Sequence, residues 1–155
     1  MSSTEIISKE KLMKTLITAL ALVSFSAFSA SVQVAEFNAS DVSSASGVQA
    51  SFGINETLGR AWAEVTLASP MGSDSNDTYL RAQVPGLSVV GGSVVLNVDG
   101  QQVECAQIRS VGIFHYRQAK ATGNCKFSVA LKKTQVDDGY DVRTVRKYVL
   151  SLETK

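Results

Sequence analysis

The chain has 155 residues, 45% of them hydrophobic, with 15 basic and 14 acidic side chains and a formal net charge of +1 at pH 7. A chain of this length does not need a second domain, because one domain of about 100 to 150 residues already buries a sizeable core. No catalytic, metal-binding or cofactor-binding motif stands out in it. The sequence therefore excludes the well-marked enzyme families and leaves the function open.

The stretch KEKLMKTLITALALVSFSAFSAS predicts a secretory signal peptide. From Lys14 it has a basic start, an apolar run from Leu16 to Val23 and small residues near Ser29 to Ser31, the three parts of such a signal. The apolar run is too short and too rich in serine to span a bilayer, so we expect it to be removed. We divide the chain into a polar extension with a signal peptide (1–30) and an exported β domain (31–155).

The position of this signal raises a question about the start of translation. It begins at Met13, after twelve polar residues that carry no second targeting signal. One hypothesis is that translation starts at Met13, because codons for Lys9-Glu10 can resemble a bacterial ribosome-binding site. The alternative is a genuine extension of the signal. In both cases we expect export to the periplasm or the extracellular space of a bacterium.

The cleavage site is predicted within a residue or two, and Ser31 is our working mature start. Ala27 and Ser29 fit the small-x-small rule better than the pair one residue later does. No cysteine follows the cleavage region, which argues against a lipid anchor. The mature protein should then be soluble or peripherally attached.

The two cysteines, Cys105 and Cys125, are predicted to form one disulfide. An even number of cysteines in an exported protein favours a bridge, and two buried free thiols are the alternative. Cys105 shares a strand face with Val103, and Cys125 shares one with Phe127, so both sulfurs should point into the core. A bridge closing a loop of about 21 residues contributes roughly 3 kcal/mol in the chain-entropy model.

The distribution of β-forming residues predicts an all-β fold. From Gly47 onward, short runs rich in Val, Ile, Thr and aromatics alternate with turn residues, and no mature segment keeps a helical apolar period. We predict a single-domain antiparallel β-sandwich, or a small closed barrel, of about eight short strands. The runs behind this prediction are 32–37, 48–54, 60–68, 79–84, 93–98, 101–108, 113–117, 125–133 and 142–152.

Two of these runs alternate between apolar and polar residues, as half-buried strands do. The apolar faces are Ala61, Ala63, Val65 and Leu67 in RAWAEVTLA, and Phe127, Val129 and Leu131 in CKFSVALKK. Two turns are also predicted. Asp99-Gly100 suits a type I′ hairpin turn, and Pro85-Gly86 suits the middle of a type II turn.

The residues that enzymes use are sparse. His115 is the only histidine, and the serines occur in no GxSxG elbow, so we predict that the protein is not an enzyme. The segments GSDSNDTY and QVDDGYD offer oxygen ligands without the order of an EF-hand loop, and we interpret them as ordinary turns. We predict no metal site and no cofactor.

The strongest unusual feature is the distribution of charge along the chain. Residues 31–104 hold eight acidic residues and two arginines, whereas residues 105–136 hold six basic residues and no acid. The basic half could engage a protein or an anionic envelope polymer. Alternatively, the acidic strands lie beside the basic ones and pair with them. The candidate binding residues are Arg109, Arg117, Lys120, Lys126 and Lys132.

Trp62, the only tryptophan, is added to these candidates because it lies on the polar face of its strand. An aromatic ring there could stack on a sugar or anchor a protein interface. The alternative is that a second sheet or a loop covers it.

These features predict an exported, soluble, noncatalytic β-sandwich that binds a protein or an anionic polymer of the cell envelope. The alternative is a small secreted enzyme inhibitor that presents the 117–126 loop, and an enzyme with an unrecognised site is a third possibility. We expect no membrane span, because cations lie on both faces of the last strand. We expect no nucleic acid partner, because the basic segment contains no recognisable nucleic-acid-binding motif.

Overall fold

A computed structural model describes residues 29–155. The hypothetical Met13 start, the polar extension and most of the predicted signal peptide lie outside the described residues. Within them the all-β prediction is confirmed, since the regular elements are strands and three single-turn 3₁₀ segments. The strands are β1 (Ser31–Asn38), β2 (Val48–Asn55), β3 (Arg60–Leu67), β4 (Thr78–Ala82), β5 (Leu87–Val90), β6 (Ser93–Val98), β7 (Gln101–Val111), β8 (Tyr116–Ala121), β9 (Cys125–Asp137) and β10 (Val142–Thr154). The 3₁₀ segments are Ala39–Asp41, Ala45–Gly47 and Asp74–Asn76.

The strands form two antiparallel sheets. The larger sheet has seven strands in the order β2-β3-β5-β6-β7-β8, with β4 also paired to β3. Strands β4 and β5 share one edge of β3, because β2 occupies the whole of the other edge. The smaller sheet has the order β1-β10-β9.

Both predicted turns are confirmed by backbone geometry. Asp99 and Gly100 have φ values of 52° and 79°, the pair of positive angles that a type I′ turn requires, and they join β6 to β7. Gly86 has a φ of 82°, and the N–H of Leu87 donates to the carbonyl of Val84 across the turn. This turn separates β4 from β5, which the sequence did not indicate as a strand of its own.

The seven-stranded sheet curls until its two edge strands approach each other. Cα atoms of β2 and β8 come within 8 Å, but within residues 29–155 no backbone ladder joins these strands. The three-stranded sheet packs over the interior, where the rings of Phe52 and Phe127 lie 4.9 Å apart. The result is a nearly closed barrel, intermediate between the two predicted architectures. We call the gap between β2 and β8 the seam.

The core contains the residues that the alternating patterns placed inward. The face predicted for β3 is buried throughout, and it meets Leu150 and Leu152 of β10. Each fully buried aliphatic side chain contributes about 1.5 to 3 kcal/mol relative to an exposed one. Leu131 lies on the predicted face of β9 but is 49% exposed, because β9 continues beyond the core there.

The predicted disulfide is confirmed and joins the two sheets, from Cys105 on β7 to Cys125 on β9. Both residues are buried. A bulge opposite Val94 and Val95 adds a residue to β7, so Cys105 and the adjacent Ala106 both face the interior. This irregularity replaces the strict alternation from Val103 that the sequence suggested.

Two predictions about the following segment are wrong. The run 113–117 is not a strand, because Gly112–His115 form the turn of a hairpin and β8 begins at Tyr116. The segment 117–126 is not a loop, because Arg117–Ala121 lie in β8 and only three residues connect β8 to β9. The projecting element in this region is therefore the β7–β8 hairpin.

Candidate binding surfaces

The end of the β7–β8 hairpin exposes a cluster of large apolar side chains. Ile113 is 85% exposed, Phe114 is 76% exposed and Tyr116 is 67% exposed, and the two rings lie 6.3 Å apart in an edge-on arrangement. Val111 is also exposed beside them. We call these four residues the apolar tip. The sequence analysis missed it, because an apolar run after Gly112 reads equally well as a buried strand.

Strand pairing explains why the tip projects. The β6–β7 ladder stops at Ser93 and Gln107, whereas the β7–β8 ladder continues to Val111 and Tyr116. The turn itself requires positive φ at its ends, at Gly112 (76°) and at His115 (54°). His115 thus contributes to the turn through its backbone conformation.

Arg117 lies directly beside the apolar tip and reaches across the seam. Its Nε donates to Oε1 of Glu56 at 2.9 Å, and its Nη1 donates to Oγ of Ser110 at 3.2 Å. The hydrogen bond and charge of Arg117 lower the pKa of Glu56, and Glu56 raises the pKa of Arg117. The sequence makes Arg117 a candidate for binding an anionic ligand. In the structure its guanidinium is paired with the carboxylate of Glu56.

Trp62 lies on the outer face of β3 in a polar cluster. Its Nε1 donates to Glu64 at 2.8 Å, and the guanidinium of Arg81 lies 4.5 Å from the ring centroid. Gly53 is opposite on β2, and a Cβ there would come within 2.1 Å of the indole nitrogen. The structure supports neither predicted alternative in full, since Arg81, rather than a second sheet, lies over the ring. Trp62 and Arg117 line one cleft of about 410 Å³ along the seam.

Arg109 and Lys120 lie close together on the outer face of the same hairpin. They line a cleft of about 330 Å³ with Glu104 and Gln107. Arg109 donates to the side-chain oxygen of Gln107 at 2.7 Å, and Gln107 donates to Glu104 at 3.1 Å. Glu104, an acidic residue, thus lies in the same cleft as Arg109 and Lys120.

Lys126 and Lys132 belong to the other sheet. Lys126 is opposite Glu153 in the β9–β10 ladder, and Lys132 lies 3.3 Å from Glu36. The six candidates therefore occupy several separate places, and most of them have an acidic neighbour. The ion pairs of Arg117 with Glu56 and of Lys132 with Glu36 agree with the alternative in which basic and acidic strands pair within the protein.

The β9–β10 hairpin carries a second feature that the sequence analysis missed. Lys132 is directly opposite Lys147, and Lys133 is directly opposite Arg146. Arg143 lies further along β10, where both strands are mostly exposed. We call residues 131–147 the basic ribbon. The sequence signal was the pair of basic runs on either side of DDGYD, which a hairpin turn brings together.

Two carboxylates of that turn accept hydrogen bonds from its backbone N–H groups. Oδ1 of Asp138 accepts from the N–H groups of Tyr140 and Asp141, and Oδ1 of Asp137 accepts from Gly139. The same backbone hydrogen bonds lower the pKa of Asp138. Likewise Asp77 accepts from the N–H of Ser69 at 2.9 Å. Both acidic segments therefore have the geometry of ordinary turns, as interpreted.

No group of three or more His, Cys, Asp or Glu residues in the described chain is arranged to hold a metal ion. In residues 29–155 no helix is long and apolar enough to cross a membrane. No protein-family model, curated protein or solved structure matched the chain.

Proposed function

We propose that the protein is an exported, noncatalytic binding module that recognises a partner protein with its apolar tip. The observation that carries this proposal is the exposure of Ile113, Phe114 and Tyr116 at the end of a projecting hairpin. Exposed apolar clusters on soluble proteins mark interaction sites. Aromatic residues at such positions supply much of the binding free energy of protein interfaces.

The support beneath the tip favours this role. The β7–β8 ladder continues to Val111 and Tyr116, the bond from Arg117 to Glu56 lies beside the tip, and the disulfide ties the start of the hairpin to β9. A recognition element that is already ordered loses less conformational entropy on binding. The convex shape of the tip requires a concave site on the partner.

That shape also keeps the inhibitor hypothesis as a second candidate. A rigid, disulfide-bridged domain that inserts one projecting segment into a cleft suits an enzyme partner. Because Arg117–Ala121 lie in β8, the segment that we propose for this role is residues 111–116. Export remains part of the proposal, and the disulfide supports it because such bonds persist in oxidising compartments.

The test compares the mature domain with a variant carrying Ile113→Ser and Phe114→Ser. Proteins retained from an envelope extract by the wild type are identified, and one is purified for direct titration. We expect at least a tenfold loss of affinity in the variant, as for hot-spot residues. Because both side chains are exposed, the variant should fold normally.

The matched control is Met71→Ser with Tyr79→Ser, which removes two exposed apolar side chains elsewhere. It should bind the purified partner as the wild type does. Equal binding by the tip variant would refute the proposal. Binding of the wild type to phospholipid vesicles, with loss in the tip variant, would replace the protein partner by a lipid surface.

A further inference from the structure

We propose that the basic ribbon is a separate site for a linear polyanion that carries phosphate or carboxylate groups. This inference goes beyond the proposed function, since it concerns another sheet and another kind of ligand. It begins with strand lengths. β1 pairs with β10 only as far as Lys147, whereas the β9–β10 ladder continues to Asp137 and Val142. The ribbon thus extends beyond its neighbour as two strands.

Two cross-strand pairs in the ribbon bring like charges together, an arrangement that lowers the stability of the folded protein. Like charges directly opposite each other destabilise an antiparallel pair, and opposite charges stabilise it. The same hairpin places Lys126 opposite Glu153, the favourable arrangement. Two consecutive basic pairs, Lys132 with Lys147 and Lys133 with Arg146, therefore need another explanation.

Internal carboxylates neutralise only one of these pairs. Glu36 lies 3.3 Å from Lys132 and 3.9 Å from Lys147, so a single carboxylate serves both ammonium groups. Lys133 and Arg146 are on the opposite face of the ribbon, and no carboxylate of residues 29–155 lies within ion-pairing distance of either. These two cations are available to an external anion.

A cleft beside β10 continues this basic surface. It has a volume of about 560 Å³ and lies between Asn38–Ser40 and Arg143–Arg146. Its lining contains two arginines and no carboxylate, although Asp41 follows at the end of the 3₁₀ segment. Arginine guanidinium groups match the oxygens of phosphate and carboxylate in a bidentate manner.

The spacing of the cations favours a polymer over a small anion. From Arg143 to Arg146 the strand spans about 10 Å, and both arginines line the cleft, so one linear chain in it can meet both charges and continue to Lys133, which is opposite Arg146. The acidic turn, with Asp137, Asp138 and Asp141, repels an anion at the far end. The polymer should therefore cross the base of the ribbon and enter the cleft.

The test uses fluorescently labelled polyphosphate and labelled polygalacturonate with the mature domain and its Lys133→Gln, Arg146→Gln variant. We expect at least a tenfold weaker affinity in the variant and a weaker dependence of binding on salt concentration. Comparison of the two probes separates phosphate from carboxylate ligands. Inorganic phosphate at the same total charge should not displace the labelled polymers from the protein.

The control variant Arg60→Gln, Lys155→Gln removes the same charge from exposed positions outside the ribbon. It should lose less than twofold. Equal losses in both variants, or no loss in either, would overturn the ribbon assignment. Inorganic phosphate that competes as well as unlabelled polyphosphate at equal phosphate concentration would overturn the assignment of a polymeric ligand. The apolar tip variant should bind both probes normally, so this test fails or succeeds independently of the proposed protein partner.

Discussion

Arg117 on β8 and Glu56 in the β2–β3 turn form a hydrogen-bonded ion pair of 2.9 Å across the seam of the barrel. In the part of the chain that the structure describes, no backbone ladder closes this gap. Side chains must therefore hold the two edge strands together at this end. Arg117 also adjoins Tyr116 of the apolar tip, so the pair links the closure of the barrel to the orientation of the candidate binding surface.

Replacing Glu56 by Gln should loosen the seam. We expect faster amide hydrogen exchange in β8 with little change in the exchange of β3, whose ladders are complete. Because Arg117 lowers the pKa of Glu56, the pair stabilises the folded state above the ordinary glutamate value of 4.5. This contribution disappears as the pH falls through the lowered pKa.

Urea unfolding near pH 7 and near pH 3 measures that dependence. Wild type and Glu56→Gln should differ at the higher pH, and the difference should be smaller at the lower one. Asp74→Asn, which removes an exposed carboxylate from another loop, serves as the control. A constant difference at both pH values would contradict the role of the ionised pair. The same pair means that a charge reversal at Arg117 disturbs the seam as well as any ligand.

Replacing Cys105 and Cys125 by Ser should lower the free energy of unfolding by about 3 kcal/mol, because the bridge closes a loop over 20 positions and ties the two sheets together. Urea denaturation under nonreducing conditions measures the loss. The wild type treated with a reductant should reach the same stability as the variant. A loss below about 1 kcal/mol would show that the buried contacts alone hold β7 against β9.

Much of the fold follows from local patterns in the sequence. The face of β3, the Asp99-Gly100 hairpin and the Pro85-Gly86 turn depend on alternation and on positive φ angles, both of which single segments reveal. The pairing of the cysteines followed from their number. These features needed no knowledge of which strands are neighbours.

The candidate binding surfaces could not be predicted in this way, because they depend on where strands end relative to each other. Ile113 and Phe114 are exposed because β7 and β8 extend beyond the end of β6. A run of apolar residues does not reveal this difference in strand length. Similarly, Lys133 and Arg146 become partners only through the register of a long hairpin. Charge along the chain indicated a basic region but not which cations have internal partners.

Replacing Gly53 by Ala should displace Trp62. The new Cβ would lie 2.1 Å from Nε1 and 2.6 Å from Cε2 of the indole, so the ring must move and its hydrogen bond to Glu64 should break. We expect a loss of about 1 to 3 kcal/mol, the range for overpacking, and a red shift of the fluorescence. Since Trp62 is the only tryptophan, its emission reports this site alone.

Ser51→Ala provides the control for that experiment, because Ser51 lies on the same face of β2 two residues away. It should leave both stability and emission near the wild-type values. Unchanged emission in Gly53→Ala would mean that the strands separate while the ring keeps its place. That result would contradict the tight approach of Trp62 to β2.

The contacts of Ala30 bear on where the proposed signal peptide would be cleaved. Its N–H donates to Oγ1 of Thr154 at 2.8 Å, and its carbonyl accepts from the N–H of Thr154 at 2.9 Å. Thr154 is buried, so loss of both partners would leave its polar groups unsatisfied. We therefore predict cleavage after Ser29 rather than after Ala30. N-terminal sequencing of the exported protein should begin at Ala30, and a start at Ser31 would contradict this prediction.

Replacing Lys133 by Glu should stabilise the folded protein, because it converts a repulsive cross-strand pair with Arg146 into an attractive one. The expected gain is about 0.2 to 1 kcal/mol, measured by urea unfolding at low salt and reduced at high salt. Lys120→Glu is the control, since Lys120 is opposite the neutral Gln107 and should show no such gain. A stabilised Lys133→Glu protein that no longer binds a polyanion would mean that the native residue lowers stability in exchange for binding. If the substitution destabilised the protein instead, the paired cations would have a structural role, and the argument for the ribbon as a binding site would lose its main support.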